Sequence, residues 1–306
     1  MRILIDNGTY DLQNLGDVSM LQLAISRLGK LFPDAEIDVI TLAPQLLQRY
    51  CSGCVPVSPV GRDLWFDAGI ALGTLKRGLP RCVCNWAEQT EQWIKYTAPE
   101  LIVGWRRKRD SGGGRAAAMM HEFVDRVRQS DLVVASGGGY LTDEFVVSAT
   151  RRLGTIRLAN AMGKTTALLG QGIGPIRLPA MLDALRTSLA GVKSVGLRET
   201  RRGPAILENA GVPPSIIRST GDDAIELALR CTPPHLGGHI GLNLRCVDPI
   251  GIEIKRPRVM ELVKAFALGN NALIIPAPIS FRAGDDDADV ARDFIKRADA
   301  PTISPL

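Results

Sequence analysis

Long apolar runs are what this sequence most plainly lacks. No stretch approaches the roughly 20 apolar residues that a membrane span requires. The opening MRILIDNG reaches Asp6 after only a short apolar run, too short for the core of a secretory signal. The chain therefore reads as cytoplasmic, a location compatible with peripheral attachment to the inner membrane face. Aromatic residues are scarce too, at 5%, while Ala, Val, Leu, Ile and Gly abound. That balance excludes disordered and fibrous classes and fits an α/β protein with aliphatic strands and Ala-rich helices. Neither the dinucleotide pattern G-x-G-x-x-G nor the P-loop occurs, so NAD and ATP sites of those kinds are set aside. The densest basic run, WRRKRDSGGGR (105–115), comes without a nucleic-acid motif and reads as a mobile loop with solvated charge. Nucleic acid is not an expected partner.

Cysteine is present in six copies but poorly arranged for metal. CSGC (Cys51, Cys54) has the spacing of a zinc knuckle, whereas CVC (Cys82, Cys84) does not. Cys231 and Cys246 have no partners by spacing. Ordinary reduced thiols are the expectation, with no metal and no cofactor.

What is present is ample core. The 306 residues are 45% hydrophobic, enough for two domains. A net charge of +5 suits anionic small molecules, anionic glycans or a bilayer surface. RILID (2–6) reads as a strand, NGTYDLQNLGD (7–17) as a turn, and Val18, Leu21, Ala24, Ile25, Leu28 and Leu31 as one apolar helix face. Asp17 stands where the N-cap belongs. With EIDVITL (36–42) the opening is a βαβ unit. The stretch 44–115 holds all four tryptophans and resists placement. Beyond it come a helix at 115–129, a strand at 131–136, a helix after GGGYLTDEF, a strand entering GQGIGP (165–175), a helix at 181–191, a strand at 192–199 and a helix at 200–211. CTPPHLGGH (231–239) reads as a linker. The expected domains are thus 1–230 and 240–306, the second a truncated sheet with strands at 240–245 and 271–278 and helices at 256–269 and 285–298.

Three glycine turns follow strands: NLGD (14–17), SGGGY (136–140) and GQGIGP (170–175). In a parallel sheet those ends form the ligand-binding edge. Glycine lets a backbone approach a ligand, and free helix N–H groups favour anions. Each turn alone is equally readable as a tight connection; three on one edge point to a site.

The order NLGDVSMLQLAISRL, SDLVVASGGGYLTD, GKTTALLGQGIGPI, SVGLRETRRGPAILENAGV, STGDDAIEL and IGLNLR resembles the polysaccharide pyruvyl transferase family. The resemblance implies an α/β fold of two Rossmann-like domains of glycosyltransferase-B type. It implies transfer of a pyruvate ketal from phosphoenolpyruvate, the donor substrate, to a sugar of a polysaccharide or lipid-linked acceptor of the cell surface. Asn14, Gly16 and Asp17 match the family's Asn-x-Gly-Asp turn. Gly137, Gly138 and Gly139 match its Gly-Gly turn. Gln171, Gly172, Gly174 and Pro175 match Gln-Gly-x-Gly-Pro, and Arg198 matches the basic residue after the next strand. The family's Arg-x-His segment has no counterpart: the histidines here are His121, His235 and His239.

Phosphoenolpyruvate carries two oxyanions, and an arginine fork matches either. Arg198 is the candidate; its bland alternative is a surface pair with Glu199 or Glu208. Asp17 is the candidate base for a sugar hydroxyl, against its role as a cap. Asp143, Asp222 and Asp223 are further carboxylates near turns, and Asp285–Asp287 reads as a solvated helix start. His121 reads as a packed or exposed helix residue, which leaves no general acid. Two alternatives remain: a nucleotide-sugar glycosyltransferase of the same fold, and an inactive, truncated binding protein.

Overall fold

The computed structural model describes residues 1–67, 80–109, 114–231, 238–244, 256–283 and 285–298. Most of the expected linker, including His235, lies outside the described residues, as do Cys246 and the end of the chain. The chain packs as two compact units, Met1–Leu12 with Ser19–Leu227, and Gln13–Val18 with Ala228–Leu306. The fold is α/β, built on a parallel sheet. Among the described residues no helix is long and apolar enough to cross a membrane.

The first unit is built on strands β1 (Arg2–Asp6), β2 (Glu36–Ile40), β3 (Val55–Val57), β4 (Leu132–Ala135), β5 (Gly138–Leu141), β6 (Thr165–Ile173), β7 (Ser194–Leu197) and β8 (Ile217–Ser219). They form one sheet in the order β3-β2-β1-β4-β6-β7-β8, with β5 also pairing β6, and every pair is parallel. Parallel strands need covered faces, which explains why Ile3, Leu4 and Ile5 are all fully buried. The order reverses between β1 and β4. That is the switch point where loops at the carboxyl edge diverge and leave a crevice.

Helices α1 (Leu15–Leu31), α2 (Pro44–Tyr50), α3 (Pro59–Asp67), α4 (Arg81–Thr97), α5 (Pro99–Arg109), α6 (Arg115–Gln129), α7 (Val146–Ala161), α8 (Pro179–Leu189), α9 (Arg202–Asn209) and α10 (Ala224–Cys231) follow in chain order. Three sequence expectations change. SGGGY is not a free turn: Gly138 pairs with Gln171 and Leu141 with Ile173, so the glycines enter the sheet. GQGIGP does not open a turn at residue 170 either, because β6 runs on to Ile173 across an irregularity between Leu168 and Gln171. Trp105–Arg109 is the last part of α5 rather than a loop; residues 110–113 lie outside the described residues.

Cys51 and Cys54 are buried beside α2. Burial, with a smaller contribution from Cys54, pushes the Cys51 thiol up to about 12. Burial, and next Asp38, pushes Cys54 up to about 11. Both thiols therefore resist alkylation at pH 8 in the native state, while exposed Cys82 reacts; mass spectrometry after a short iodoacetamide pulse checks this. The stability they contribute is fully present below the unfolded thiol's pKa near 9 and is lost as pH rises toward 11–12. Rapid labelling of Cys51 in folded protein would contradict the assignment. No group of three or more His, Cys, Asp or Glu side chains able to hold a metal occurs among the described residues.

The second unit contains the parallel pair β9 (Ile240–Leu242) and β10 (Ile274–Pro276) with α11 (Arg256–Gly269), the short pair β11 (Phe281–Arg282) and β12 (Asp285–Asp286), and α12 (Asp287–Ala298). Ala267, Ile274 and Phe294 form its small core. Residues 13–15 join it through backbone bonds: Leu15 donates to Ile279 and Phe281 to Gln13, both at 2.9 Å, around an antiparallel bridge between Asn14 and Ser280. Asp287 is a buried anchor, not a solvated helix start. Its Oδ2 accepts from the backbone of Ile279 at 3.1 Å and of Ser280 at 2.9 Å.

Candidate functional site

The turn before α1 is capped by Asn14, not Asp17. Asn14 Oδ1 accepts from the N–H groups of Gly16 at 3.0 Å and Asp17 at 3.2 Å, which satisfies two of the free donors at the helix start. Asp17 lies in the first turn, where its charge favours the helix dipole. Asn14, Gly16 and Asp17 all fall in the second unit.

In the first unit four of the other expected residues converge. Gly139, Gly172, Gly174 and Arg198 line a single open cavity of about 460 Å³, joined by Thr200, Arg201 and Arg202 at the start of α9. β7 ends at Leu197, so Arg198 sits at the carboxyl edge, its N–H bonded to the Gln171 carbonyl at 3.0 Å. The side chain crosses the start of β5 and the end of β6 at close range. A Cβ on Gly172 would lie 2.5 Å from Arg198 Nε, and one on Gly139 would lie 2.9 Å from Nη2. The missing side chains at these two positions set the height of the guanidinium. Gly174 has φ +99, a conformation glycine adopts without strain.

Arg198 does not pair with Glu199 or Glu208. Its partner is Asp222, at 3.6 Å, and both side chains are about one-third exposed, so solvent weakens the pair. Glu199 faces the sheet instead, accepting from Ile173 N–H at 3.0 Å. Asp222 also accepts from the Ala224 N–H at 3.0 Å. Asp223 is buried and bonded to Arg27 at 2.5 Å, and Asp143 accepts from Arg177 N–H at 2.6 Å. These carboxylates brace loops.

Gln171, Gly137 and Gly138 serve the frame beneath the cavity. Gln171 is fully buried, and its amide donates to the carbonyls of Ser136 at 2.6 Å and Leu169 at 3.0 Å. That ties the end of β4 to β6. Met20 Sδ would lie 2.8 Å from a Cβ on Gly137, and the Tyr140 ring 2.6 Å from one on Gly138.

Beside the switch point is a cluster that pattern reading missed. Arg152 is buried in α7 between the rings of Tyr10 and Tyr140, 4.4 and 4.3 Å from their centroids. It donates to the carbonyls of Asn7 at 2.8 Å and Gly8 at 2.6 Å, holding the loop that leaves β1. Arg62, also buried, reaches Asp6 at 3.4 Å and bonds the Tyr10 hydroxyl. Burial, and next the charge of Asp6, drives the Tyr10 phenol far above its usual range. Arg152 is one of three arginines in α7, and residue type alone does not mark it as the buried one.

No curated protein sequence matches the chain. Among solved structures, a UDP-N-acetylglucosamine 2-epimerase described as putative, from Listeria monocytogenes, is similar at TM-score 0.52 and 11% identity, over 100% of this chain and 69% of that one. The UDP-GlcNAc 2-epimerase of Methanocaldococcus jannaschii is similar at TM-score 0.51 and 10% identity, over 100% and 74%. These likenesses concern the fold. The family model for polysaccharide pyruvyl transferase matches residues 14–301, nearly the whole length, and contains the cavity. This chain belongs to the polysaccharide pyruvyl transferase family.

Proposed function

We propose that the protein transfers a pyruvate ketal from phosphoenolpyruvate to a sugar of a polysaccharide or lipid-linked acceptor, and that the Arg198 cavity receives the donor. The observation that carries this reading is the Arg198 guanidinium laid across Gly139 and Gly172, beside the first turn of α9. A phosphate or carboxylate there meets a bidentate fork, the helix's free N–H groups, and the cations of Arg201 and Arg202. The weak pair with Asp222 holds the fork in place without burying it. Protonation of the donor's methylene and attack of one sugar hydroxyl at its C2 begin the reaction. Loss of phosphate and closure by a second hydroxyl give the ketal and inorganic phosphate. The role of Asp17 as base rests on the family resemblance alone.

Calorimetric titration with phosphoenolpyruvate, with inorganic phosphate and UDP as controls, tests the donor assignment. Saturable binding of phosphoenolpyruvate, tighter than that of phosphate, is expected. Binding of UDP alone would overturn the proposal in favour of a nucleotide-sugar glycosyltransferase.

A further inference from the structure

Three of the four tryptophans lie at the surface, and all three belong to one pair of helices. Trp65 is fully buried, whereas Trp86 and Trp93 on α4 are 68% and 64% exposed and Trp105 on α5 is 45% exposed. Tryptophan is highly buried on average, so this segregation calls for a reason. On α4, Val83, Trp86, Thr90 and Trp93 recur at spacings of three and four, which puts them on one face. On α5, Leu101, itself 71% exposed, and Trp105 are four apart.

Between these residues lies a groove of about 330 Å³, walled by Trp86, Ala87, Thr90, Ile94, Leu101 and Trp105. Its surface is almost wholly hydrocarbon and indole. Glu91 reaches the wall, but its carboxylate is bonded to buried Lys95 at 3.0 Å and so enters as half of a neutral pair.

The charge around this face has one sign in excess. Among the described side chains of α4 and α5, Lys95 and Arg106 are buried, and the exposed bases Arg81, Arg107 and Lys108 stand against the exposed acid Glu100, which pairs with Arg128 at 2.7 Å. Exposed Arg81 begins α4, and exposed Arg107 and Lys108 stand in the last turn of α5. Arg107 is shared with Asp125 at 2.5 Å. Indole rings and a leucine, flanked by base, are the combination by which helices lie in the headgroup region of a bilayer. A protein partner would also use tryptophan, but it would require matched polar groups at the rim of the groove.

We propose that the α4–α5 face docks the protein on an anionic bilayer surface, with a lipid acyl chain entering the groove. The helices then lie in the interface, and neither crosses the membrane. This goes beyond the donor site and does not depend on it.

The test is co-sedimentation of the full chain with vesicles of phosphatidylglycerol and phosphatidylcholine, compared with phosphatidylcholine alone. Binding to the anionic vesicles is expected, weakening as salt rises. Both indoles at positions 86 and 105 are exposed, so the double variant Trp86→Ser/Trp105→Ser folds; circular dichroism verifies this. It should lose about tenfold or more in vesicle affinity. Arg81→Glu and Lys108→Glu should each lose about fivefold or more. Quenching of tryptophan emission by lipids brominated on the acyl chain should occur in the native chain and fall in the double variant. Calorimetry of the double variant in solution should return unchanged donor binding, which separates this face from the cavity. Absence of vesicle binding, or binding equally strong in the double variant, would overturn the proposal. So would concentration-dependent self-association in sedimentation velocity that the double variant removes, since the face would then be covered by a second copy.

Discussion

Arg198→Ala is expected to weaken phosphoenolpyruvate binding by about a hundredfold, the equivalent of roughly 3 kcal/mol for two charge-assisted hydrogen bonds. Folding should hardly change. The side chain is about one-third exposed, its ion pair with Asp222 spans 3.6 Å, and solvent screens it. Gly172→Ala should reproduce most of the loss while leaving Arg198 itself intact. The added Cβ would stand 2.5 Å from Nε and 2.6 Å from Nη2, and the obstacle is the far end of a flexible side chain. The guanidinium therefore swings away at little cost to stability. A titration in which Gly172→Ala binds normally would show that the fork's position does not matter, and would remove the basis for placing the donor there. Arg198→Lys keeps the charge without the fork, and is expected to recover only part of the affinity.

Gly61→Ala should have the largest effect on stability. Gly61 lies where α3 crosses α6, and a Cβ there would sit 2.0 Å from the Met119 carbonyl oxygen and 3.1 Å from Phe123 Cβ. Alanine gains about 1 kcal/mol of helix propensity. Here the obstacle is backbone, so the two helices must part, at a cost of about 3 kcal/mol. The net loss is about 2 kcal/mol, or a fall in Tm of about 5 °C. Neighbouring Arg62 moves with α3 and strains its contacts with Asp6 and Tyr10. Gly29→Ala in α1 is the control, because a Cβ there meets nothing within 4 Å and should raise Tm. Equal stabilisation by both substitutions in thermal unfolding would refute the steric argument.

The sequence was most legible where one periodicity ran without interruption. The spacing predicts helices over 115–129 and 256–269, and the structure has Arg115–Gln129 and Arg256–Gly269. The aliphatic strands of the parallel sheet were readable for the same reason. The glycine triplet was misread because glycine signals a turn through conformational freedom, whereas at Gly138 and Gly139 it answers to space. Only the pairing of β5 with β6 reveals that. The α4–α5 pair escaped because Trp86, Trp93, Leu101 and Trp105 face outward while Ile94, Ile102 and Val103 pack inward, so its apolar residues mark no single core stripe. Arg152 escaped because its acceptors are backbone carbonyls some 145 positions away, and carbonyls leave no trace in residue type. At the candidate site, Arg198 was identified but its partner was not: Asp222 comes next to it through the turn after β8.

The bonding of residues 13–15 to residues 279–281 has a consequence for biosynthesis. A ribosome releases the first segment about 260 residues before the second. At ~5–20 residues per second that is an interval of about 13 to 50 s. Throughout it, the Leu15 amide and the Gln13 carbonyl have no native strand to meet. Stalling late in translation would leave this edge open to any extended peptide nearby, and a factor that shields nascent chains would act on it first. The segment at residues 13–15 is thus made early and completed late.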